Sequence, residues 1–385
     1  MKADQSPPHA VLADRVFDGH GWHDKAAVLV REGLVAIAPW GEIPADWPQT
    51  RVASGAFLAP GFIDLQVNGG GGVLLNDEPT ADGMRAIARA HRRYGTTACL
   101  PTLISDTREQ MHSAIAAARA VGSQDGVLGL HVEGPFISPQ RPGVHRPDRV
   151  RKPEAGDLEM LCDLAGAGRS MVTLAPECVP TGFVRTLTAK GIRVSIGHSE
   201  ASASAVMQAI ADGARGVTHL FNAMPPLSAR APGIIGAALA DDRLTAGLIV
   251  DGLHVDPVTV RAAFAAKGDR MALVTDAMPT VGASLAQFEL MGRTVKLADG
   301  RLTTEAGTLA GAHLDMAAAV RNAVRLCGIP LEPALRAASL TPARLLGLDN
   351  ERGTLAPGLR ADFVALTPEL SVVATWINGR ADALT

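Results

Sequence analysis

The chain is poor in cysteine, in aromatic residues and in net charge. Its 385 residues include four cysteines, Cys99, Cys162, Cys178 and Cys327, with no CxxC pair among them. That pattern gives no disulfide framework and fits free thiols in a reducing cytoplasm. Cys178 follows Glu177 near an expected strand end, but no basic neighbour adjoins it to activate the thiol, so it reads as structural. Aromatics make up 4% of the chain, and no basic run interleaves with them. The formal net charge is −3. Nothing in that balance draws the chain to nucleic acid or to an anionic membrane. No segment reaches the roughly 18 uncharged apolar residues of a membrane span. The start, MKADQSPPHAVLADR, has no apolar signal core, so a cytoplasmic location is expected.

The chain does have a folded protein's composition, 47% hydrophobic and 19% charged. Its length allows more than one domain. Five short apolar runs each end in, or carry, a residue able to bind a metal or move a proton. These residues are Glu133, His198, His219, His254 and Asp276, separated by 65, 21, 35 and 22 positions. A βαβ step takes about 30 residues, so most of these gaps fit one strand-plus-helix repeat and the first fits two. Polar groups recurring at the carboxyl ends of successive buried strands describe the active face of a (β/α)8 barrel.

Eight strands are expected, at 62–68, 96–103, 127–133, 171–177, 193–198, 216–222, 246–254 and 271–277. Helices are expected at 81–95, 108–122 and 202–213, a β excursion at 278–312, and two closing helices at 313–328 and 331–347. Residues 10–58 and the C-terminal stretch GTLAPGLRADFVALTPELSVVATWINGR instead alternate short β-like runs with turns. The expected fold is therefore an α/β TIM-like barrel over 59–348. A small β-sandwich domain would be assembled from residues 1–58 and 349–385.

Glu133, His198 and His219 make a two-imidazole, one-carboxylate set with room for an open coordination position, the composition of a catalytic zinc site. Asp276 is the carboxylate placed to take a proton from a metal-activated water and return it to a leaving group. His254 ends the expected seventh strand, next to a loop with which such barrels often bind phosphate or a substrate oxygen. His145 lies in RPGVHRP, a loop expected to keep its imidazole out of the core and available to substrate. His131 shares a strand face with Glu133 and reads as a supporting or core residue. Glu177 reads equally as supporting or structural. His9, His20, His23, His91, His112 and His313 carry surface or helix readings.

These residues lie within motifs that resemble a known family. PGFIDLQVNGGGG (60–72), LHVEGPF (130–136), GVHRP (143–147), IGHS (196–199) and THLFNAM (218–224) belong to it. So do RAPG (230–233), DGLHV (251–255), VTDAM (274–278) and TLAGAHLDM (308–316). Together they resemble the N-acetylglucosamine-6-phosphate deacetylases of the amidohydrolase superfamily, over nearly the whole chain. The resemblance implies deacetylation of an amino-sugar phosphate, with Glu133, His198 and His219 on the metal and Asp276 as base and then acid. It implies that His145 polarises the acetamide carbonyl, that Asn222 and Ala223 offer donors to phosphate, and that Arg230 and His254 bring positive charge to it. Leu309 would line the sugar pocket. It also implies a homodimer in which Arg230 reaches the neighbouring active site.

Where many amidohydrolases carry His-x-His on the first strand, this chain has Gln66-Val67-Asn68. Amides are poor zinc ligands, so one divalent metal per chain is expected, zinc first, with iron, cobalt or manganese also suited to the donors. No lysine ends an expected barrel strand, so Glu133 would fill the place that a carboxylated lysine takes elsewhere. The alternatives are another amidohydrolase reaction, on a cyclic amide or dipeptide, and a non-catalytic sugar-phosphate sensor.

Overall fold

A computed structural model describes residues 7–121 and 125–382. Eight parallel strands, each hydrogen-bonded to the next in chain order, build the barrel. They are Phe62–Val67, Thr96–Ile104, His131–Glu133, Met171–Leu174, Arg193–Ile196, Gly216–Val217, Thr245–Ile249 and Met271–Val274. Apart from the half-buried Arg193, every residue in them is buried. Strands covered on both faces need near-continuous apolar runs, which is why these segments stand out in the sequence. The first strand meets the chain just past the end of the last strand. The Asp276 N–H donates to the Gln66 carbonyl at 3.0 Å, and Val67 pairs with Ala277. The Thr275 hydroxyl donates to Asp64 Oδ2 at 2.5 Å. Burial at this seam raises the Asp64 carboxyl to about 7.

The strands match the expected eight in number and place, but six end earlier; the second runs one residue further, to Ile104, and the third starts only at His131. The sixth stops at Val217 rather than 222, because His219, Phe221 and Ala223 adopt positive φ and cannot continue a ladder. The seventh stops at Ile249, before a turn through Gly252, also at positive φ. Helices Ala81–Arg92, Arg108–Ala120 and Ala203–Ala211 fill the expected gaps; Gly122, the expected end of the second, lies outside the described residues. Thr80, Thr107 and Ser202 cap them, each side chain accepting the N–H three residues on. The expected helix over 331–347 is two helices, Leu331–Ala338 and Leu340–Leu346. Pro342 sets its ring against the carbonyl four residues back, so an uninterrupted helix cannot pass through Ser339.

The excursion forms an antiparallel sheet of Gln287–Leu290, Arg293–Ala298 and Arg301–Thr304. Its Leu290, Val295 and Leu302 pack on Leu74, Ile104 and Met278 at the barrel mouth. The two chain ends meet in one eight-stranded sheet. Phe57–Pro60 lies parallel to His9–Phe17 and antiparallel to Phe363–Leu366, which joins the halves. This sheet has its own core, including Val11, Val28, Leu58, Phe363 and Trp376. Phe363 and Trp376 stack at 4.6 Å between ring centroids. Residues 1–6 and 383–385, at the outer ends of the expected small domain, lie outside the described residues.

Candidate active site

Below the mouth, the barrel interior is polar. The His131 Nδ1–H donates to the Leu65 carbonyl at 3.1 Å, which leaves Nε2 to accept the Thr173 hydroxyl at 2.7 Å. Thr173 is linked to Thr218 at 2.6 Å, and Thr218 to Ser195 at 2.7 Å. Burial lowers the His131 imidazole to about 4, so it stays neutral. His131 is thus part of a hydrogen-bonded floor and not a ligand. His91 is also buried, on its helix, with Nε2 against the Gly69 carbonyl.

On this floor stand Glu133, His198 and His219, whose ligand atoms all lie within 4.8 Å of one another. Glu133 is the last residue of its strand. His198, His219 and Asp276 each sit two residues beyond theirs, and all three have positive φ, 49°, 30° and 51°. That backbone region costs a non-glycine residue about 1–3 kcal/mol and persists where surrounding structure enforces it. Here it turns each chain out of its strand direction as the functional side chain leaves the barrel. Gly197 permits the approach: a Cβ there would lie 2.9 Å from both Thr173 and Thr218.

His198 Nε2 and His219 Nε2 are 3.0 Å apart and lie 3.1 and 3.0 Å from Glu133 Oε1. His198 Nδ1 donates to the Arg141 carbonyl at 2.8 Å, so its Nε2 presents a lone pair. Two imidazole nitrogens and a carboxylate facing one point fit a divalent ion that accepts N/O donors. Burial works to raise the Glu133 carboxyl, but the two imidazoles packed against it hold it well below the usual range. Glu177, left open by the sequence, accepts the Ser199 hydroxyl at 2.7 Å and the Glu200 N–H at 2.6 Å, which anchors the segment behind His198.

Gln66 and Asn68 fill the space beside this set with amide donors. Gln66 Nε2 donates to both oxygens of Glu133, at 3.2 and 3.1 Å, and to Asp276 Oδ1 at 3.1 Å. Asn68 Nδ2 donates to Asp276 Oδ1 at 2.6 Å. Burial and the Glu133 charge raise Asp276 to about 6, against the opposing pull of His219, His254 and the Asn68 hydrogen bond.

His145 departs from expectation. Its loop folds back over the barrel mouth and leaves the imidazole only 2% exposed. The Arg293 guanidinium binds the Val144 carbonyl and ties the loop to the excursion sheet. Gly143, at φ 55°, passes close to the His198 ring. The Ser105 N–H donates to His145 Nδ1, and the Ser105 hydroxyl lies 2.7 Å from the same atom. An N–H aimed at Nδ1 leaves no room for a second proton there, so the ring proton is on Nε2. Burial and the neighbouring His198 keep this ring neutral by lowering its pKa well below the usual range. Sequence reasoning missed Ser105, since a serine after a strand carries no signal of its own.

One cleft gathers Glu133, His198, His219, Asp276, His145, Asn222, Ala223, His254 and Leu309, with Asn68 and Met278 beside them. Of the site residues expected from sequence, Arg230 alone is outside it, exposed on the 224–233 loop. No lysine or arginine is among the described residues lining the cleft.

This geometry coincides with a family match. The amidohydrolase family model matches residues 57–381, and the chain belongs to that family. The chain is 40% identical over 366 residues to an N-acetylgalactosamine-6-phosphate deacetylase of Shewanella, covering 92% of this chain and 91% of that protein. It is 41% identical over 347 residues to the human N-acetylglucosamine-6-phosphate deacetylase, covering 86% and 84%. The crystal structure of N-acetylglucosamine-6-phosphate deacetylase from Pasteurella multocida superposes with a TM-score of 0.94 at 37% identity, over 98% of this chain and all of that one.

Proposed function

We propose that this chain is a metal-dependent deacetylase of N-acetylglucosamine 6-phosphate, yielding glucosamine 6-phosphate and acetate in amino-sugar breakdown. The observation that carries the reading is the meeting, in one cleft, of a three-donor metal set with a buried carboxylate outside that set. The relatives supply the substrate. Glu133, His198 and His219 hold one divalent ion, zinc first among the metals these donors accept. When bound, the ion supplies Lewis acidity to the attacking water and to the acetamide carbonyl.

Asp276 takes a proton from that water as its oxygen attacks the carbonyl carbon. The His145 Nε2–H donates to the carbonyl oxygen as negative charge grows there. As the C–N bond breaks, Asp276 returns the proton to the departing amine. Asn68 and Gln66 both bond Asp276 Oδ1, which leaves Oδ2 for this exchange. Leu309 and Met278 give the cleft apolar walls.

At the other end of the substrate, Asn222, Ala223 and His254 meet the phosphate. A dianion in a cleft with two carboxylates and no lysine or arginine needs further positive charge. Arg230, on a loop that begins where Asn222 and Ala223 leave the cleft, supplies it to a neighbouring copy in a homodimer. The four cysteines are unpaired, in keeping with a cytoplasmic enzyme, and no helix among the described residues is long and apolar enough to cross a membrane.

Acetate release from N-acetylglucosamine 6-phosphate, beside the unphosphorylated sugar, tests this reading. The galactosamine epimer belongs in the panel because one relative is named for it. Hydrolysis of a cyclic amide or dipeptide, with no acetate released from either sugar phosphate, would overturn the assignment.

A further inference from the structure

His145 and His254 both line the cleft, outside the metal set, and their partners put them in opposite states. His145 receives a proton donor at Nδ1. His254 faces a carboxylate, with Nδ1 lying 2.6 Å from Asp251 Oδ2. Asp251 Oδ1 accepts the N–H groups of Leu253 and His254, both at 2.8 Å. Three donors thus converge on one carboxylate, and all come from the two residues closing the turn after the seventh strand. Both side chains of the pair are less than a tenth exposed. A carboxylate so placed is an acceptor, so His254 Nδ1 carries a proton. Its Nε2 has no hydrogen-bond partner among the described residues and opens on the cleft. A proton arriving at Nε2 makes an imidazolium whose charge Asp251 balances from behind.

We propose that Asp251 is a positioning residue that turns His254 into the cation this chain offers to the substrate phosphate. The inference rests on the reading above, in which His254 faces the phosphate. Asp251 stands behind the imidazole and touches no substrate. Its effect is to fix which nitrogen faces the cleft and to stabilise that nitrogen's second proton. Burial works to raise the Asp251 carboxyl, but its bonds to His254 and Leu253 hold it below the usual range, as an ionised partner requires.

The test is the ratio of kcat/KM for N-acetylglucosamine 6-phosphate to that for N-acetylglucosamine. Asp251→Asn keeps the side chain's shape and removes the charge; with its oxygen on the two backbone N–H groups, its NH2 faces Nδ1 and cannot accept that proton. It should lower the ratio about tenfold or more, the scale of a charge-assisted hydrogen bond. His254→Asn should lower it at least as far, and the double variant should fall no further than His254→Asn alone. If Asp251→Asn slows both substrates alike while His254→Asn lowers the ratio, Asp251 only shapes the turn and the proposal fails. If His254→Asn leaves the ratio unchanged, His254 does not face phosphate, and that reading falls first. The metal-loaded wild-type enzyme gives a second readout in the imidazole 15N shifts of His254, assigned by difference from His254→Asn. A protonated Nδ1 is expected, with a second proton at Nε2 once inorganic phosphate binds. A bare Nδ1, or an Nε2 that stays bare with phosphate bound, overturns the proposal.

Discussion

Changing Asp276 to asparagine alters one atom and isolates the proton-transfer role. Asp276 Oδ1 accepts the Asn68 and Gln66 amides at 2.6 and 3.1 Å, and an asparagine oxygen can keep both. The replaced atom is then Oδ2, which becomes an NH2 group without a lone pair for a proton. Glu133, His198 and His219 are untouched, and Glu133 loses a neighbouring like charge, so metal content should hold. General acid–base catalysis contributes about 10²–10⁴-fold, or roughly 3–5 kcal/mol of barrier. Acetate release at full metal occupancy should fall by that factor. Asp276→Ala should fall at least as far and also lose stability, because it leaves the buried Asn68 amide without its acceptor, at about 1–3 kcal/mol, while Gln66 keeps Glu133. Metal analysis, thermal melting and acetate assays on the two variants separate these effects. Turnover within tenfold of wild type in metal-replete Asp276→Asn would refute the role.

The acid limb of kcat/KM should sit at or below about pH 6: Asp276 is raised to about 6 without the ion, must be ionised to take a proton, and is lowered further by a bound cation. A limb above pH 7, or one that survives in Asp276→Asn, would count against Asp276 as the base. Active protein should contain about one equivalent of metal per chain, and Gln66→His with Asn68→His should raise uptake of a second ion, both read by elemental analysis; an activity that requires two ions in the unaltered chain would contradict the single site. Arg230→Ala should raise KM for the phosphorylated substrate by about tenfold, the loss of a charge-assisted contact, with kcat largely kept. Co-expressed with Asp276→Asn, it should give mixed dimers containing one site of normal affinity; mixed dimers that lack such a site would show that Arg230 does not act across an interface.

The barrel was legible because strands buried on both faces leave apolar runs, each followed by a chemically conspicuous residue. Glu133, His198, His219 and Asp276 could be picked out for that reason alone. What the sequence could not show was backbone direction. Nothing in IGHS or THLFN announces that His198 and His219 leave the extended region, so the fifth and sixth strands appeared longer than they are. His145 went astray for a related reason. A Pro/Gly-flanked loop is locally consistent with exposure, and its burial depends on Arg293, 148 positions away, binding the Val144 carbonyl. Gln66 and Asn68 were read for what they fail to do as metal ligands. Their positive role, holding Asp276 and Glu133, needed coordinates. The split of the 331–347 helix could have been anticipated from Pro342.

The sheet built from the two chain ends also bears on how the protein is made. Phe57–Pro60 finds its antiparallel neighbour in Phe363–Leu366, about three hundred residues later. At a synthesis rate of about 5–20 residues per second, the early strands wait roughly 15–60 s for that partner. Throughout that time, one edge of the N-terminal strands has unpaired N–H and carbonyl groups, the kind of edge that can template association with another chain. A chain cut short after Leu309 and before residue 363 keeps every active-site residue named here and leaves that edge open. Such a product would be distinguished from the finished chain by its tendency to aggregate rather than by a missing active-site group.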